Sequence, residues 1–307
     1  MPQPLLDSAD SPERLIRKFL GVLRKEVLEG NPFLNGVGQS LLQDYHPLLK
    51  DPGRYNPELV ESIYLKRRAF PATAIRESTG PVVLDAGCGC GTDSILFAAL
   101  GARVVAVNRS AEELEVAERR VRFYEKSWGR RLNITLVRGD LNHYAPSEEL
   151  SLAWLASILA VIEDQEALLE RIFRSTRRGG EIMVVDYNLW HPPFLWGEWR
   201  RRRSACGRSP QFSRQANYWG MVGRAGRRGA RFFPLTEGGL FDDAQFFTPG
   251  TLRSLLRKVG FRVMPPRFSG CTPLSSTRAS MSLENFLSRL PGWKALGRAY
   301  LMAGGKE

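Results

Sequence analysis

The chain has 307 residues, of which 43% are hydrophobic and 25% charged, and its formal net charge is +12. This length can bury the core of one large α/β domain with additions, or of two small domains. Four cysteines are too few for a disulfide scaffold, and no apolar run reaches the roughly 18 residues of a membrane-spanning helix. The N-terminus lacks the basic-then-apolar order of a secretory signal, which favours a cytoplasmic protein.

The positive charge is concentrated in one segment. Between Leu189 and Glu237 lie ten arginines against two acidic residues, together with several tryptophans, tyrosines and phenylalanines. Such a mixture predicts an acidic partner: a phosphate-bearing lipid, glycan or cofactor, a nucleic acid, or an anionic membrane surface. A solvated basic face over a small aromatic core is the alternative.

The first predicted element is an amphipathic helix over residues 11–29, with Ser11 as its N-cap. Packing of this helix on its own domain is favoured over binding at a membrane interface. Residues 31–57 are rich in Pro, Gly and Asn and predict a loop-dominated segment. A second helix is predicted over Leu59–Arg76.

Strands and helices then alternate in a way that predicts a doubly wound, mostly parallel, Rossmann-like sheet. The predicted helices are Cys90–Leu100, Ala111–Ser127 and residues 164–176. The predicted strands are Pro81–Ala86, Arg103–Val107, Ile134–Arg138, Leu150–Leu155 and Glu181–Tyr187.

After the arginine-rich segment the sequence predicts a helix over Pro249–Val259, a strand at Phe261–Met264 and a helix at Leu283–Leu290. The apolar stretch Ala299–Ala303 is expected to close the edge of the sheet. We therefore divide the chain into an N-terminal helical extension, a cofactor-binding core, a basic aromatic insert that covers the substrate, and a C-terminal completion of the core. These are residues 1–58, 59–188, 189–245 and 246–307.

A glycine loop follows the first predicted strand, with the sequence Asp85-Ala-Gly-Cys-Gly-Cys-Gly91. A dinucleotide-binding loop would need a third glycine at position 92, which is Thr92. A carboxylate at the strand end would repel a pyrophosphate but not a cationic sulfonium with a free amino group. The loop therefore favours a cationic ligand. We interpret its two cysteines as small apolar residues and predict no metal site.

Val82–Gly91 resembles the first motif of class I S-adenosyl-L-methionine (SAM)-dependent methyltransferases, in particular the ubiquinone-biosynthesis-like members. The resemblance extends from about residue 60 to about residue 265 and implies a seven-stranded sheet with SAM as cofactor and S-adenosyl-L-homocysteine (SAH) as product. Further segments resemble the family's later motifs in the correct order: Val104–Asn108, Val137–Leu141, Ser151–Leu168, Arg177–Ile182, Phe247–Pro249 and Gly260-Phe261.

The resemblance implies specific roles for the residues at the strand ends. Asp85 organises the loop and through it the amino group of the methionine moiety, the glycines admit the cofactor to the backbone, and Asp140 and Leu141 contact the adenine. The ribose position is occupied by Asn108. The cofactor-binding residues implied are Asp85, Gly87, Cys88, Gly89, Gly91, Asn108, Arg109, Asp140, Leu141 and Ser157.

The sequence departs from the family pattern at three positions. The ribose-binding residue is usually acidic, and its replacement by Asn108 is expected to cost about 1 kcal/mol, or about fivefold in affinity. The acid of the fourth motif is Ser151, and a frequent histidine is Val161. These departures leave a non-catalytic binding protein open as an alternative.

Methyl transfer to oxygen or carbon usually needs a base in addition to correct positioning. His191 follows the fifth strand and is our candidate, although a role as a turn residue before two prolines is equally compatible with the sequence. His143 is expected to border the cofactor, and Asp186 or Tyr187 to orient a substrate.

Three functions compete at this stage. The first is methyl transfer to an O or C atom of a small-molecule or lipid- or phosphate-linked anionic acceptor, by a cytoplasmic protein that can also contact an anionic membrane peripherally. The second is RNA methylation, with the arginines holding phosphates. The chain has no Asn-Pro-Pro-Tyr or Asp-Pro-Pro-Tyr motif, so methylation of the amino group of a base by that route is not supported. The third is SAM binding without catalysis. The first is favoured.

Overall fold

The computed structural model describes residues 10–50, 56–188, 247–269 and 299–307, together with the single positions 196 and 286. Eight strands form one sheet in the order β3-β2-β1-β4-β5-β8-β6, with β7 paired to β8 beside this path. The strands are β1 Val82–Ala86, β2 Arg103–Asn108, β3 Ile134–Arg138, β4 Leu150–Ala156, β5 Thr176–Tyr187, β6 Arg262–Val263, β7 Arg267–Ser269 and β8 Ala299–Gly305.

The described helices connect and cover these strands. They are α1 Pro12–Glu29, α2 Gly36–Tyr45, α3 Pro47–Lys50, α4 Pro57–Glu77, α5 Thr92–Ala99, α6 Ala111–Trp128, α7 Gln165–Ser175 and α8 Pro249–Val259. Strands β1 to β5 run parallel, as the alternation predicted, and their order defines a doubly wound, Rossmann-like sheet. The predicted fold class is confirmed.

Helix α1 is the amphipathic helix that the sequence predicted. The Ser11 side chain accepts a hydrogen bond from the Arg14 amide and so caps its first turn. Its apolar residues are buried against the rest of the chain: Leu15, Phe19, Leu23 and Val27. This burial agrees with the favoured interpretation, packing on its own domain. No helix in the described part of the chain is long and apolar enough to cross a membrane.

The prediction of a loop-dominated segment over residues 31–57 was wrong, because α2 and α3 lie within it. Asn35 caps α2 by accepting a hydrogen bond from the Gly38 amide. The Gln39 side chain donates to the backbone oxygens of Glu26 and Val27 at the end of α1. Tertiary contacts thus stabilise a helix whose glycines give it a low intrinsic propensity.

Strand β8 differs from the prediction in its position. It lies antiparallel to β5 and also pairs with β6 and β7, so it occupies the interior of the sheet. Its residues Ala299–Ala303 are fully apolar or aromatic and are buried on both faces, as an interior strand requires. Apart from the single helical positions Trp196 and Phe286, the insert 189–245 and the predicted helix 283–290 lie outside the residues that the structure describes.

The core consists of two layers, one on each face of the sheet. Alternate residues of the central strands point to opposite faces, so that Val83 lies in one layer and Leu84 in the other. The first layer packs under α1, α4, α5 and α6, and the second under α7 and α8. Between these layers the carboxyl ends of the parallel strands meet at one edge of the sheet, where such folds bind ligands.

Candidate functional site at the carboxyl edge of the sheet

The glycine loop forms a tight turn between β1 and α5. The amides of Gly87 and Cys88 both donate to the Val107 carbonyl of β2, at 2.8 and 3.1 Å. Gly87, Gly89 and Gly91 have φ values of +77°, +51° and +72°, a region that favours glycine. The turn therefore holds its backbone close to the tips of β1 and β2, as expected for a loop that admits a ligand to the main chain.

Two side chains flank this loop so closely that glycine is required. A Cβ on Gly87 would lie 2.6 Å from Cγ1 of Ile158, which follows β4. A Cβ on Gly89 would lie 2.6 Å from Cε1 of Tyr45, the last residue of α2. The loop is therefore bordered by the core on one side and by the N-terminal extension on the other.

Asp85 is buried below the loop, near the end of β1. Its Oδ2 accepts a 2.5 Å hydrogen bond from the Ser94 hydroxyl of α5. Burial raises the pKa of Asp85 to about 7, and the nearby Asp93 carboxylate adds to this increase. A cation bound at the loop would favour the ionised form of Asp85, so this carboxyl suits a positively charged ligand.

At the tip of β2, Asn108 is buried and bonded to a carboxylate. Its Nδ2 donates to Oε2 of Glu113 at 2.5 Å, and the Ser110 hydroxyl accepts from the Glu113 amide at the start of α6. Burial raises the pKa of Tyr45, and the nearby Glu113 carboxylate adds to this increase. The next predicted site residue, Arg109, is exposed. Glu113 is a neighbour that our sequence analysis did not identify.

The third predicted segment lies beside β2. The Gly139 amide donates to the Asn108 carbonyl at 3.0 Å, which carries the chain of β3 past the tip of β2. Asp140 is exposed and its Oδ1 accepts from the Asn142 amide at 2.9 Å, whereas Leu141 is buried. An exposed carboxylate beside a buried leucine is compatible with contacts to the two sides of a base.

Ser157 follows β4 and has an unusual backbone conformation. Its φ of +56° is the only left-handed value of a non-glycine residue in the described ranges. Its amide donates to the Val185 carbonyl of β5 at 2.8 Å, and its side chain is exposed. A left-handed backbone at a non-glycine residue is strained and is retained where the surrounding structure imposes it. Here it lies at the turn that places Ile158 against the glycine loop.

A buried ionic cluster supports the loop from below and was missed in the sequence analysis. Arg120 of α6 is fully buried and forms a two-point ion pair with Glu26 of α1, at 2.8 and 2.9 Å. Arg120 Nη1 also donates to the Cys90 carbonyl at 2.5 Å and to the Thr92 hydroxyl at 2.8 Å. The N-terminal extension is thereby joined to the glycine loop through one guanidinium group.

The same cluster includes His46, which follows α2. His46 Nε2 is 2.9 Å from the Thr92 hydroxyl and its Nδ1 is 2.9 Å from the Tyr64 hydroxyl. Burial lowers the pKa of His46 well below its usual value, and the guanidinium groups of Arg120 and Arg68 act in the same direction. The Tyr124 hydroxyl donates to Glu26 Oε2 at 2.9 Å, and we call Glu26, Arg120, Tyr124, Thr92 and His46 the Glu26–Arg120 network. One sequence signal for it existed, because Glu26 falls on the apolar face of α1.

Asp186 lies at the end of β5, on the same edge as the loop. Since Ala86 pairs with Leu155 and Ala156 with Val185, Asp186 is two strands away from Gly87, about 10 Å at ordinary strand spacing. Its Oδ1 accepts from the Tyr187 amide, while its buried Oδ2 has no hydrogen-bond partner among the described residues. Burial raises the pKa of Asp186 to about 7.

The histidine predictions fare differently. His191, the predicted base, lies outside the described residues, and His143 is exposed after the adenine-binding segment.

Cys88 and Cys90 are free cysteines, and burial raises the pKa of Cys90 to about 12. In the described ranges no group of three or more His, Cys, Asp or Glu side chains is placed to hold a metal ion.

The sheet order, the glycine turn and the acidic groups at the strand tips define a doubly wound cofactor-binding protein. Comparison with known proteins narrows this class. Residues 83–180 match the methyltransferase domain family. Over 123 residues the chain is 31% identical to a demethylmenaquinone methyltransferase of Thermobifida fusca (strain YX), a match that covers 39% of this chain and 50% of that protein.

The fold also matches that of a SAM-dependent methyltransferase from Methanosarcina mazei, with a TM-score of 0.52 and 15% identity. This match covers 77% of this chain and 97% of that one. These comparisons confirm the predicted resemblance to class I SAM-dependent methyltransferases, and they support S-adenosyl-L-methionine as the cofactor. The chain spans only half the length of the curated relative.

The residues at the carboxyl edge fit this cofactor. Asp85 offers a buried carboxylate to a cationic group, and the glycine turn exposes backbone next to it. Asn108 and Glu113 place hydrogen-bonding groups at the tip of β2, and Asp140 and Leu141 lie at the adjacent tip of β3. The set has the acceptors that an ammonium, a sugar and an adenine require.

Proposed function

We propose that this protein transfers a methyl group from SAM to an oxygen or carbon atom of a small-molecule or lipid- or phosphate-linked anionic acceptor. The observation that carries the proposal is the buried Asp85 carboxyl beneath a glycine turn with three left-handed glycines. SAM supplies an already activated methyl group when bound. The protein's part is to position the acceptor and to exclude water.

Asp186 is the residue that we propose as the proton acceptor for a hydroxyl or an acidic C–H. It has an oxygen without a hydrogen-bond partner at the correct edge of the sheet, and its pKa of about 7 suits a base at neutral pH. When the acceptor atom is methylated and SAH leaves, Asp186 Oδ2 would take the proton that the acceptor atom loses. His191 remains a second candidate base from the sequence.

The acceptor class is inferred from charge and from similarity. The insert 189–245 carries the ten arginines counted above, and it follows β5 directly after Asp186. The relative from Thermobifida fusca is named for a quinone-type acceptor, demethylmenaquinone. The name of the relative favours a lipid-linked acceptor over RNA, and the arginines suit an anionic acceptor or peripheral contact of the protein with an anionic membrane.

The test is transfer of label from radioactive SAM to separated small-molecule, lipid and RNA fractions of a cell extract. We expect saturable labelling of the small-molecule or lipid fraction, and its loss in Asp85→Ala and in Gly89→Ala, whose new methyl would collide with Tyr45. Labelled RNA with steeply salt-dependent binding would support the alternative nucleic-acid acceptor instead. If calorimetry detects no SAM or SAH binding at millimolar ligand, the proposed function is wrong.

A further inference from the structure

We propose that Glu113 supplies the carboxylate that accepts the sugar hydroxyls of the cofactor. The resemblance assigns this role to the last residue of β2, but that residue is Asn108, which carries no charge. The inference rests on the proposed function, since it requires SAM to bind at this edge. It adds a residue that neither the motif nor the comparisons identify.

The hydrogen bond between Asn108 and Glu113 places the carboxylate at the strand tip. Glu113 lies in the first turn of α6, five residues beyond Asn108, and its amide is held by the Ser110 hydroxyl at 3.2 Å. The 2.5 Å bond from Asn108 Nδ2 to Glu113 Oε2 then brings the charged group back to the end of β2. Asn108 acts as the positioning residue and Glu113 as the acceptor.

Tyr45 connects the same carboxylate to the glycine loop. Its ring lies against Gly89. Burial raises the pKa of Tyr45, and the Glu113 carboxylate lies close enough for its charge to add to this increase. Since one group lies close to both the loop and Glu113, the carboxylate must lie on the loop's side of α6. The methionine-binding turn and the proposed sugar acceptor are therefore adjacent, as a single nucleoside ligand requires.

The carboxylate keeps the capacity to accept two further hydrogen bonds. Two carboxylate oxygens offer about four acceptor positions, and Asn108 uses one of them. Two of the remaining positions match the two adjacent hydroxyls of a ribose. Glu113 is also only half-buried, so a ligand can reach it.

The experiment measures SAH affinity by titration calorimetry, which does not depend on the acceptor or on catalysis. Glu113→Gln removes the charge and is expected to weaken SAH binding about five- to tenfold, because hydrogen bonds to charged acceptors are the stronger ones. Glu112→Gln is the matched control, because Glu112 is exposed in the same helical turn. The SAH affinity of this variant should equal that of the wild type.

A second ligand and a rescue variant separate a sugar contact from a general effect on the helix. Removing the ligand's 2′-hydroxyl should weaken binding to the wild type about fivefold but cause little further loss in Glu113→Gln. Returning the acid to the strand tip, as Asn108→Asp in the Glu113→Gln background, should restore SAH affinity to within about threefold of the wild type.

The outcomes distinguish this inference from the proposed function. If the wild type binds SAH but Glu113→Gln binds it equally well, or if the deoxy ligand loses the same factor in both proteins, Glu113 does not hold the sugar. In either case the proposed function would stand. If the wild type binds neither ligand, both are wrong.

Discussion

The two faces of the sheet bury different kinds of side chain. The face under α1, α4, α5 and α6 contains the Glu26–Arg120 network among its apolar residues, whereas the described part of the face under α7 and α8 consists mainly of aliphatic and aromatic side chains. Arg120 of the network donates to the Cys90 carbonyl of the glycine loop and to the Thr92 hydroxyl at the start of α5. The first face thus supports both the fold and the loop, and the second supports the fold.

Breaking the network should have the largest effect. Arg120→Met leaves the Glu26 carboxylate buried without its ion pair, which typically costs about 3–5 kcal/mol of unfolding free energy. Because Arg120 also holds the Cys90 carbonyl, SAH affinity should fall as well. Urea unfolding and calorimetry measure the two effects. Arg122→Met, which breaks an exposed pair with Glu118 on the same helix, should change stability by no more than about 0.5 kcal/mol.

A cavity in the opposite face should affect stability alone. Leu169 of α7 is fully buried in the second layer, and Leu169→Ala is expected to cost about 3 kcal/mol of unfolding free energy. At a temperature where the variant remains folded, its SAH affinity should match the wild type. A drop in affinity as large as that of Arg120→Met would remove the distinction between the faces.

Asp186 sharpens the comparison, because it is a buried carboxyl beside the apolar face. Its folded pKa of about 7 exceeds the ordinary value of 3.8, so its contribution to stability is present below about pH 4 and is lost as the pH rises to about 7. Asp186→Asn should therefore gain about 2–4 kcal/mol at pH 8. It should also lose methyl transfer while binding SAH normally. Equal stability of variant and wild type from pH 4 to 8 would contradict this account.

The smallest expected effect is the pH dependence of cofactor binding. Asp85 has a pKa of about 7 in the free protein, and the ammonium group of a bound SAH would favour its ionised form. SAH affinity should therefore increase about tenfold between pH 6 and 8, and Asp85→Asn should abolish this increase. A wild-type affinity that is constant across this range would show that Asp85 does not act on the ligand's charge.

Much of the fold could be predicted from local sequence. The bounds of β3 and α8 agree with the predictions, because each is marked by local signals such as the capping Thr248 and the terminal Gly260. The segment 31–57 could not be predicted, because α2 depends on contacts from Gln39 to the end of α1. The interior position of β8 depends on its pairing with β5, which ends more than 100 residues earlier in the chain.

The candidate site shows the same division. The glycine loop and the strand tips carry a motif within about ten residues, so the sequence identifies them. Glu26 and Arg120 are 94 residues apart, and only folding brings them together. Glu113 was accessible in principle, since an acid one helical turn beyond a strand end that lacks its usual acid is a signal for a relocated carboxylate.

The central claim is that SAM and its product SAH bind over the turn after β1. The most direct measurement is a crystal structure of the protein with SAH. We expect the homocysteine part to contact the backbone of Gly87–Gly91 and the sugar hydroxyls to lie within hydrogen-bond distance of Glu113. A complex in which SAH binds elsewhere, or in which Tyr45 still fills the space beside Gly89 while the ligand is excluded, would contradict the account.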